Sequence, residues 1–270
     1  MIRYFLHIGY KGTNYRGWQR QKRVLTIQEV FENSLNQIFK YEIPCLGCGR
    51  TDAGVHAAQF FFHIDLKEEY QMDLKFILNK MLPNDISVFD IIKMDGEPHA
   101  QFDARERTYN YFIHTRKDPF LSELSSFYSL DDIDLNQIKD AITIIPNYSD
   151  FRALCKTPDR HTSTICNLKS IKLFHNQEKD CLRFQFTSDK FLKSMIRIMV
   201  YKLLEIGTGK LSIEEFERNL KSKVTLPFVN IAYPQGLYLT RISYPFLDIL
   251  PRNEMFAVLD ERIKGFWKEA

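Results

Sequence analysis

The chain has 270 residues, 44% hydrophobic and 26% charged, an ordinary globular mixture long enough for one large core or two fused halves. Its formal net charge of +3 permits an acidic partner but is too small for a dedicated nucleic-acid-binding arm. Five cysteines are an odd number in a chain too long to need a disulfide framework.

The opening segment MIRYFLHIGY is broken by Arg3 and His7 and lacks the apolar stretch of a signal peptide. No apolar run approaches the ~18 residues of a membrane span, so a soluble cytosolic protein is expected. Ile2, Tyr4, Leu6 and Ile8 recur at period two, which predicts a strand. A turn-rich segment follows, with Lys11, Arg16, Arg20, Lys22 and Arg23 and no acid among them. A helix then starts at Thr26, where Thr26 and Glu29 have capping-box spacing. Ile27, Val30, Phe31, Leu35, Ile38 and Phe39 form its apolar stripe. A short strand over Cys45–Cys48 leads into the turn Gly49–Gly54, and a longer strand covers 57–66. A second helix is expected near 73–82, then strands near 86–94 and 107–114. This mixed order predicts an α+β sheet with helices on one face.

The segment 117–132, with Pro119 and many turn formers, reads as a connection between halves at 1–116 and 133–246. The second half repeats the element order without repeating the sequence. It predicts a helix near 135–145, strands near 167–174 and 182–187, and a long helix from about Asp189 to Ile206. A shorter helix begins at Ser212, with capping-box spacing to Glu215, and a strand follows near 237–242. The tail 247–270 is expected to form a helix packed on the outside after Pro251.

The most specific stretch is Gly49-Arg50-Thr51-Asp52-Ala53-Gly54-Val55-His56-Ala57. Two glycines bracket an acid in a tight turn, which can present Asp52 to a cleft. Arg50, two residues away, can grip a carboxylate or a phosphate. By itself the turn is better read as an Asx-turn with a surface ion pair, because a lone acid in a glycine turn is common.

GRTDAGVHA resembles the catalytic-loop signature of TruA-type tRNA pseudouridine synthases. Tyr10-Lys11-Gly12, Tyr15-Arg16-Gly17-Trp18-Gln19 and Thr26-Ile27-Gln28 are similar to that family's first strand, basic loop and helix start. His99-Ala100, Phe102, Ala104 and Arg107-x-Tyr109-x-Tyr111 match its mid-chain segment. Phe151-Arg152, Phe191-x-x-x-Met195-Ile196-Arg197 and Gly236-Leu237-Tyr238-Leu239 match its second half. The resemblance runs in order over about residues 2–245.

That resemblance implies an α+β pseudouridine synthase fold. Two fused ferredoxin-like halves would form a mixed, mainly antiparallel sheet with flanking helices, and the active-site cleft would lie between the halves. It implies an isomerase that breaks the N-glycosidic bond of a uridine in the anticodon stem-loop of tRNA. The uracil then turns and rejoins the ribose through C5. No metal or organic cofactor is implied, the partner is tRNA, and the enzyme acts as a homodimer away from membranes. Asp52 corresponds to the nucleophile, attacking either the ribose or the uracil ring. Tyr109 corresponds to the tyrosine that stacks on the target uracil and is a candidate to take the C5 proton. Arg197 corresponds to the arginine that pairs with the catalytic aspartate. Arg50 is assigned to orienting the loop or the flipped nucleotide, and Arg16, Arg20, Lys22 and Arg23 to phosphate contacts. Trp18 fits either a stacking platform or a buried anchor.

Gln101 stands where many family members have arginine, which removes one charged contact. Cys45-x-x-Cys48 suggests zinc or redox chemistry, but Cys155, Cys166 and Cys181 supply no second pair, so free, partly buried thiols are expected. Gly207-Thr208-Gly209-Lys210 imitates part of a P-loop. Leu204 and Leu211 occupy the positions that need Gly and Ser or Thr, so a helix stop is the better reading.

Overall fold

The computed structural model describes residues 1–130, 132–178, 180–224, 230–250 and 268–269. Their contacts divide the chain into two compact units. The first comprises Met1–Arg107 and a return segment from Tyr238; the second holds Thr108–Leu237.

In the first unit, β1 (Ile2–Tyr10) is central. It pairs antiparallel with β3 (His56–Leu66) on one side and β4 (Ile86–Lys93) on the other. The short β2 (Leu46–Gly47) pairs antiparallel with β3 further along. The return strand β9 (Leu237–Ser243) joins β3 in parallel at His56↔Tyr238 and Ala57↔Leu239. The run Phe60-Phe61-Phe62 is buried throughout, the pattern of a strand covered on both faces. Alternation assigns the faces. Phe60 and Phe62 meet Trp18, and Phe62 meets Phe31 of α1 (Ile27–Phe39). Phe61 points the other way, against Tyr244. Helices therefore cover one face as expected, while Tyr244 and Phe246, with Tyr244 also against Phe5, help cover the other. Thr26 caps α1 by accepting from the Glu29 N–H at 3.4 Å, and Asp73 caps α2 (Leu74–Met81) through the Phe76 N–H at 3.0 Å.

In the second unit, β7 (Leu168–His175) and β8 (Cys181–Ser188) form an antiparallel pair. β5 (Glu106–His114) lies beyond β8. The edges carry two short strands. β6 (Ser126–Phe127) runs parallel to β5, and β10 (Lys268–Glu269) antiparallel to β7. Among the described residues, three α-helices complete the unit: α3 (Leu135–Ile144), α4 (Met195–Gly207) and α5 (Ile213–Ser222). α4 buries most of its residues, Arg197 among them, and leaves Tyr201, Lys202 and Glu205 on its more open side. A Cβ on Gly207 would run into the Ile138 side chain, so that glycine lets α3 and α4 approach.

The α+β class and the mainly antiparallel mixed sheets are as expected. The units exchange at Arg107/Thr108 and Leu237/Tyr238 rather than within 117–132. Strand pairing across long sequence separations decides this: β9 returns to β3, and 117–132 contributes β6 to β5. The long helix is also shorter than predicted. Asp189 Oδ1 accepts from the N–H groups of Lys190 and Asn167 at 2.7 and 2.8 Å, and Ser194 takes a left-handed conformation at φ 60°. Helix α4 therefore starts only at Met195, leaving Lys193 outside it. The expected helix after Pro251 lies outside the described residues.

Candidate active site

The Asp52 turn is built from the first unit. The Val55 N–H donates to the Asp52 carbonyl at 3.2 Å, closing a β-turn with Gly54 at its third position. Gly54 has φ +76°, which a glycine accepts without strain. Gly49 is different: its φ is not positive and a Cβ there would meet nothing within 4 Å. One glycine of the bracketing pair is thus required by backbone geometry and the other is not.

The turn rests on the segment from Tyr10 to Trp18. The Gly54 N–H donates to the Tyr15 carbonyl at 3.1 Å, and the Trp18 N–H to the Thr51 carbonyl at 3.4 Å. The Tyr10 and Thr51 hydroxyls are 2.9 Å apart. A Cβ on Gly12 would run into Val55, and one on Gly17 into the Thr51 carbonyl. The two glycines thus let one backbone lie directly on the other. Tyr15 donates its hydroxyl proton to Asp85 at 2.6 Å. Trp18, 2% exposed, packs on Phe60 and Phe62; it is a buried anchor.

His56 is buried. Its Nδ1 accepts from the Gly12 N–H at 3.0 Å, and its ring stacks on Tyr238 at 4.5 Å. Its role is to cap and fix the loop. Asp52 itself is half-buried and Arg50 exposed. Asp52 thus sits on a turn whose backbone is tied down on both sides.

The basic residues differ in state. Arg16 is exposed between Tyr15 and Gly17, beside the Asp52 turn. Lys22 and Arg23 are exposed at the tip of a small hairpin closed by a Gln21–Val24 bridge. Arg20 is half-exposed but engaged, its guanidinium 2.8 Å from Glu32 and 3.7 Å from Glu29.

In the second unit, Tyr109 is half-buried on β5, its ring edge-on to Phe191 at 5.2 Å. Arg197 is 9% exposed, so α4 does not offer it as a solvated basic face. Its Nε donates to the Ala232 carbonyl at 2.7 Å, and the Ala232 N–H donates back to the Arg197 carbonyl at 3.0 Å. Its charge acts on the buried Tyr111 hydroxyl, which burial pushes up and Arg197 partly draws down. Tyr111 in turn donates to the Tyr233 carbonyl at 2.8 Å, and its oxygen lies 2.8 Å from the Ser126 hydroxyl.

The sequence matches the family described as tRNA pseudouridine synthase over residues 7–104 and 148–245. A tRNA pseudouridine synthase A of Parabacteroides distasonis is 36% identical over 264 residues, covering 96% of this chain and all of that protein. Proteins of the same description from Porphyromonas gingivalis and Bacteroides fragilis are each 33% identical; they cover 91% and 90% of this chain, and 98% and 96% of their own. The chain belongs to the tRNA pseudouridine synthase family. Asp52 and Arg197 fall inside the matched stretches of this synthase family; Tyr109 falls between them.

Sequence reasoning gave Arg107 no role. Its guanidinium donates to the carbonyls of Cys48 at 3.0 Å, Gln101 at 2.7 Å and Ala104 at 2.9 Å. It therefore ties the strand before the Asp52 turn to the loop His99–Ala104. The available signal was its place two residues before Tyr109. Cys45 and Cys48 are free and buried, and burial pushes the Cys48 thiol up to about 12. Gly207–Lys210 is a helix end, with Gly209 at φ +68°. No helix among the described residues is long and apolar enough to cross a membrane.

Proposed function

We propose that this chain converts uridine to pseudouridine in the anticodon stem-loop of tRNA, with Asp52 as the nucleophile. The observation that carries this reading is the Asp52 turn: a half-buried aspartate on a turn held by Tyr15 and Trp18 and packed against Gly17. A reaction that needs one carboxylate at a fixed place, and little else from the protein, suits such a scaffold. Family membership and the relatives' printed description supply the RNA class.

In this reading Asp52 attacks the target nucleotide and the N-glycosidic bond breaks. The uracil turns, C5 bonds to the ribose carbon, the bond to Asp52 breaks, and the C5 proton leaves for a base while N1 gains one. Tyr109 stacks on the uracil, Arg197 serves the aspartate, and Arg50 orients the flipped nucleotide. Arg16, Lys22 and Arg23 hold phosphates, and Arg20 joins them by exchanging its glutamate partners for phosphate. The substrate uridines are those on the 3′ side of the anticodon loop and the upper stem. The enzyme works in the cytoplasm as a homodimer and uses no cofactor.

The test incubates wild type and Asp52→Ala with unmodified tRNA and maps pseudouridine at nucleotide resolution. Signal in the anticodon arm from wild type alone is the expected result. No product from either protein, with RNA binding retained, would replace this reading with an RNA-binding protein that lacks catalysis. Product elsewhere in the tRNA would keep the chemistry and overturn the target.

A further inference from the structure

The loop His99–Ala104 spends an unusual amount of bonding on holding one apolar side chain in solvent. Phe102 is 77% exposed. Its ring stacks on His99, with centroids 4.1 Å apart and planes at 27°. His99 is fixed in turn. Its Nδ1 accepts from the N–H groups of Gln101 and Phe102 at 3.1 and 3.3 Å, and its ring meets the buried His63 edge-on at 4.7 Å. Its own N–H donates to Asp103 at 2.6 Å, and the Asp103 N–H donates back to the His99 carbonyl at 3.1 Å.

The backbone below is equally bound. The Ala100 N–H donates to His63 Nδ1 at 3.2 Å, and Tyr244 donates its hydroxyl to the Ala100 carbonyl at 2.6 Å. Arg107 takes the carbonyls of Gln101 and Ala104 and also that of Cys48, just upstream of the Asp52 turn. A singly exposed apolar residue is ordinary on a protein surface. Here, however, the ring is preorganised over a second ring, on a loop whose backbone has little freedom and which is tied to the stem of the Asp52 turn.

We propose that Phe102, supported by His99, is a stacking surface for an RNA base beside the uridine that is isomerised. An aromatic face accepts any base, because every base has a π-face and an opened nucleotide needs a replacement for its lost neighbour. A rigid platform keeps the ordering cost of binding low. Nothing in the role requires a charge, so it is independent of the neutral Gln101 next to it. The inference rests on the isomerase reading above.

The experiment measures pseudouridine formation against tRNA concentration for wild type, Phe102→Ala, Phe102→Leu and Phe102→Trp, with melting temperatures for each. Loss of one base–aromatic stack should raise the half-saturating tRNA concentration of Phe102→Ala at least about fivefold. Phe102→Trp should restore it and Phe102→Leu should not, with melting temperatures close to wild type. Leucine matching tryptophan would overturn stacking in favour of simple apolar contact. An unchanged Phe102→Ala beside an active wild type would overturn the platform and leave the isomerase reading intact. A wild type that makes no pseudouridine would overturn both.

Discussion

Trp18 and Phe102 are large aromatic residues in two segments that both support the Asp52 turn, yet they face opposite environments. Trp18 is 2% exposed and lies on Phe60 and Phe62; Phe102 is 77% exposed and lies on His99. The first region is scaffold: glycines let Tyr10–Trp18 lie on the turn, and the tryptophan anchors it to the sheet. The second region carries its own scaffold in Arg107, His63 and Tyr244 and uses it to display a ring. The contrast separates residues that hold a site from residues that meet a ligand, which residue type alone does not.

The sharpest break of that comparison is Asp52→Ala, which removes the proposed nucleophile and leaves both supports standing. Pseudouridine formation should fall by about 10⁴-fold or more, with circular dichroism and melting temperature unchanged. A modest loss would mean that another group supplies the nucleophile. Trp18→Ala comes next: emptying a packed aromatic site should cost about 3–5 kcal/mol in denaturant unfolding, whereas Phe102→Ala should stay within about 0.5 kcal/mol. Equal costs would erase the distinction between the two regions.

Gly17→Ala tests the contact between backbones. Gly17 has φ +86° and a Cβ would meet the Thr51 carbonyl, so about 1–3 kcal/mol should be lost, and turnover with it, as the turn shifts. An alanine variant of full activity would show that the two segments can separate without harm.

Acid tests the second region. His63 is pushed down to about 4 by burial, with the charges of Arg3 and His99 adding to the effect. The unfolded chain takes up this proton near the ordinary histidine value of about 6.5, and the folded chain does so only near 4. Stability from this group is therefore complete above the unfolded value and is lost as pH falls through the window between them. The loss should be on the order of 2 kcal/mol, and His63→Gln should show a shallower slope in that window. The smallest effect concerns the thiols. Cys48 and Cys166 are pushed up to about 12 and Cys181 to about 11, all chiefly by burial. A thiol reagent at neutral pH should therefore react slowly with the native protein, and first at the half-buried Cys181.

Periodicity and capping made most elements legible within a residue or two, because β1, β3, α1 and α5 announce themselves through local alternation and through Thr26 and Ser212. The Asp52 turn was legible through its motif. The start of α4 was not: the apolar pattern runs on from Leu192, but Asp189 and the left-handed Ser194 hold the chain out of a helix. Whether an arginine is solvated was illegible too. Arg197 gives its Nε to the Ala232 carbonyl, and Arg107 reaches Cys48, far away in sequence.

By itself the sequence determined the element types, the family and the acid on its glycine turn, since each depends on neighbours a few residues apart. Only the tertiary structure decided that β9 returns to β3, that Trp18 is buried while Phe102 is displayed, and that Arg107 braces two loops. These depend on contacts between residues far apart in the chain, where burial and hydrogen bonding are set by what folding brings alongside.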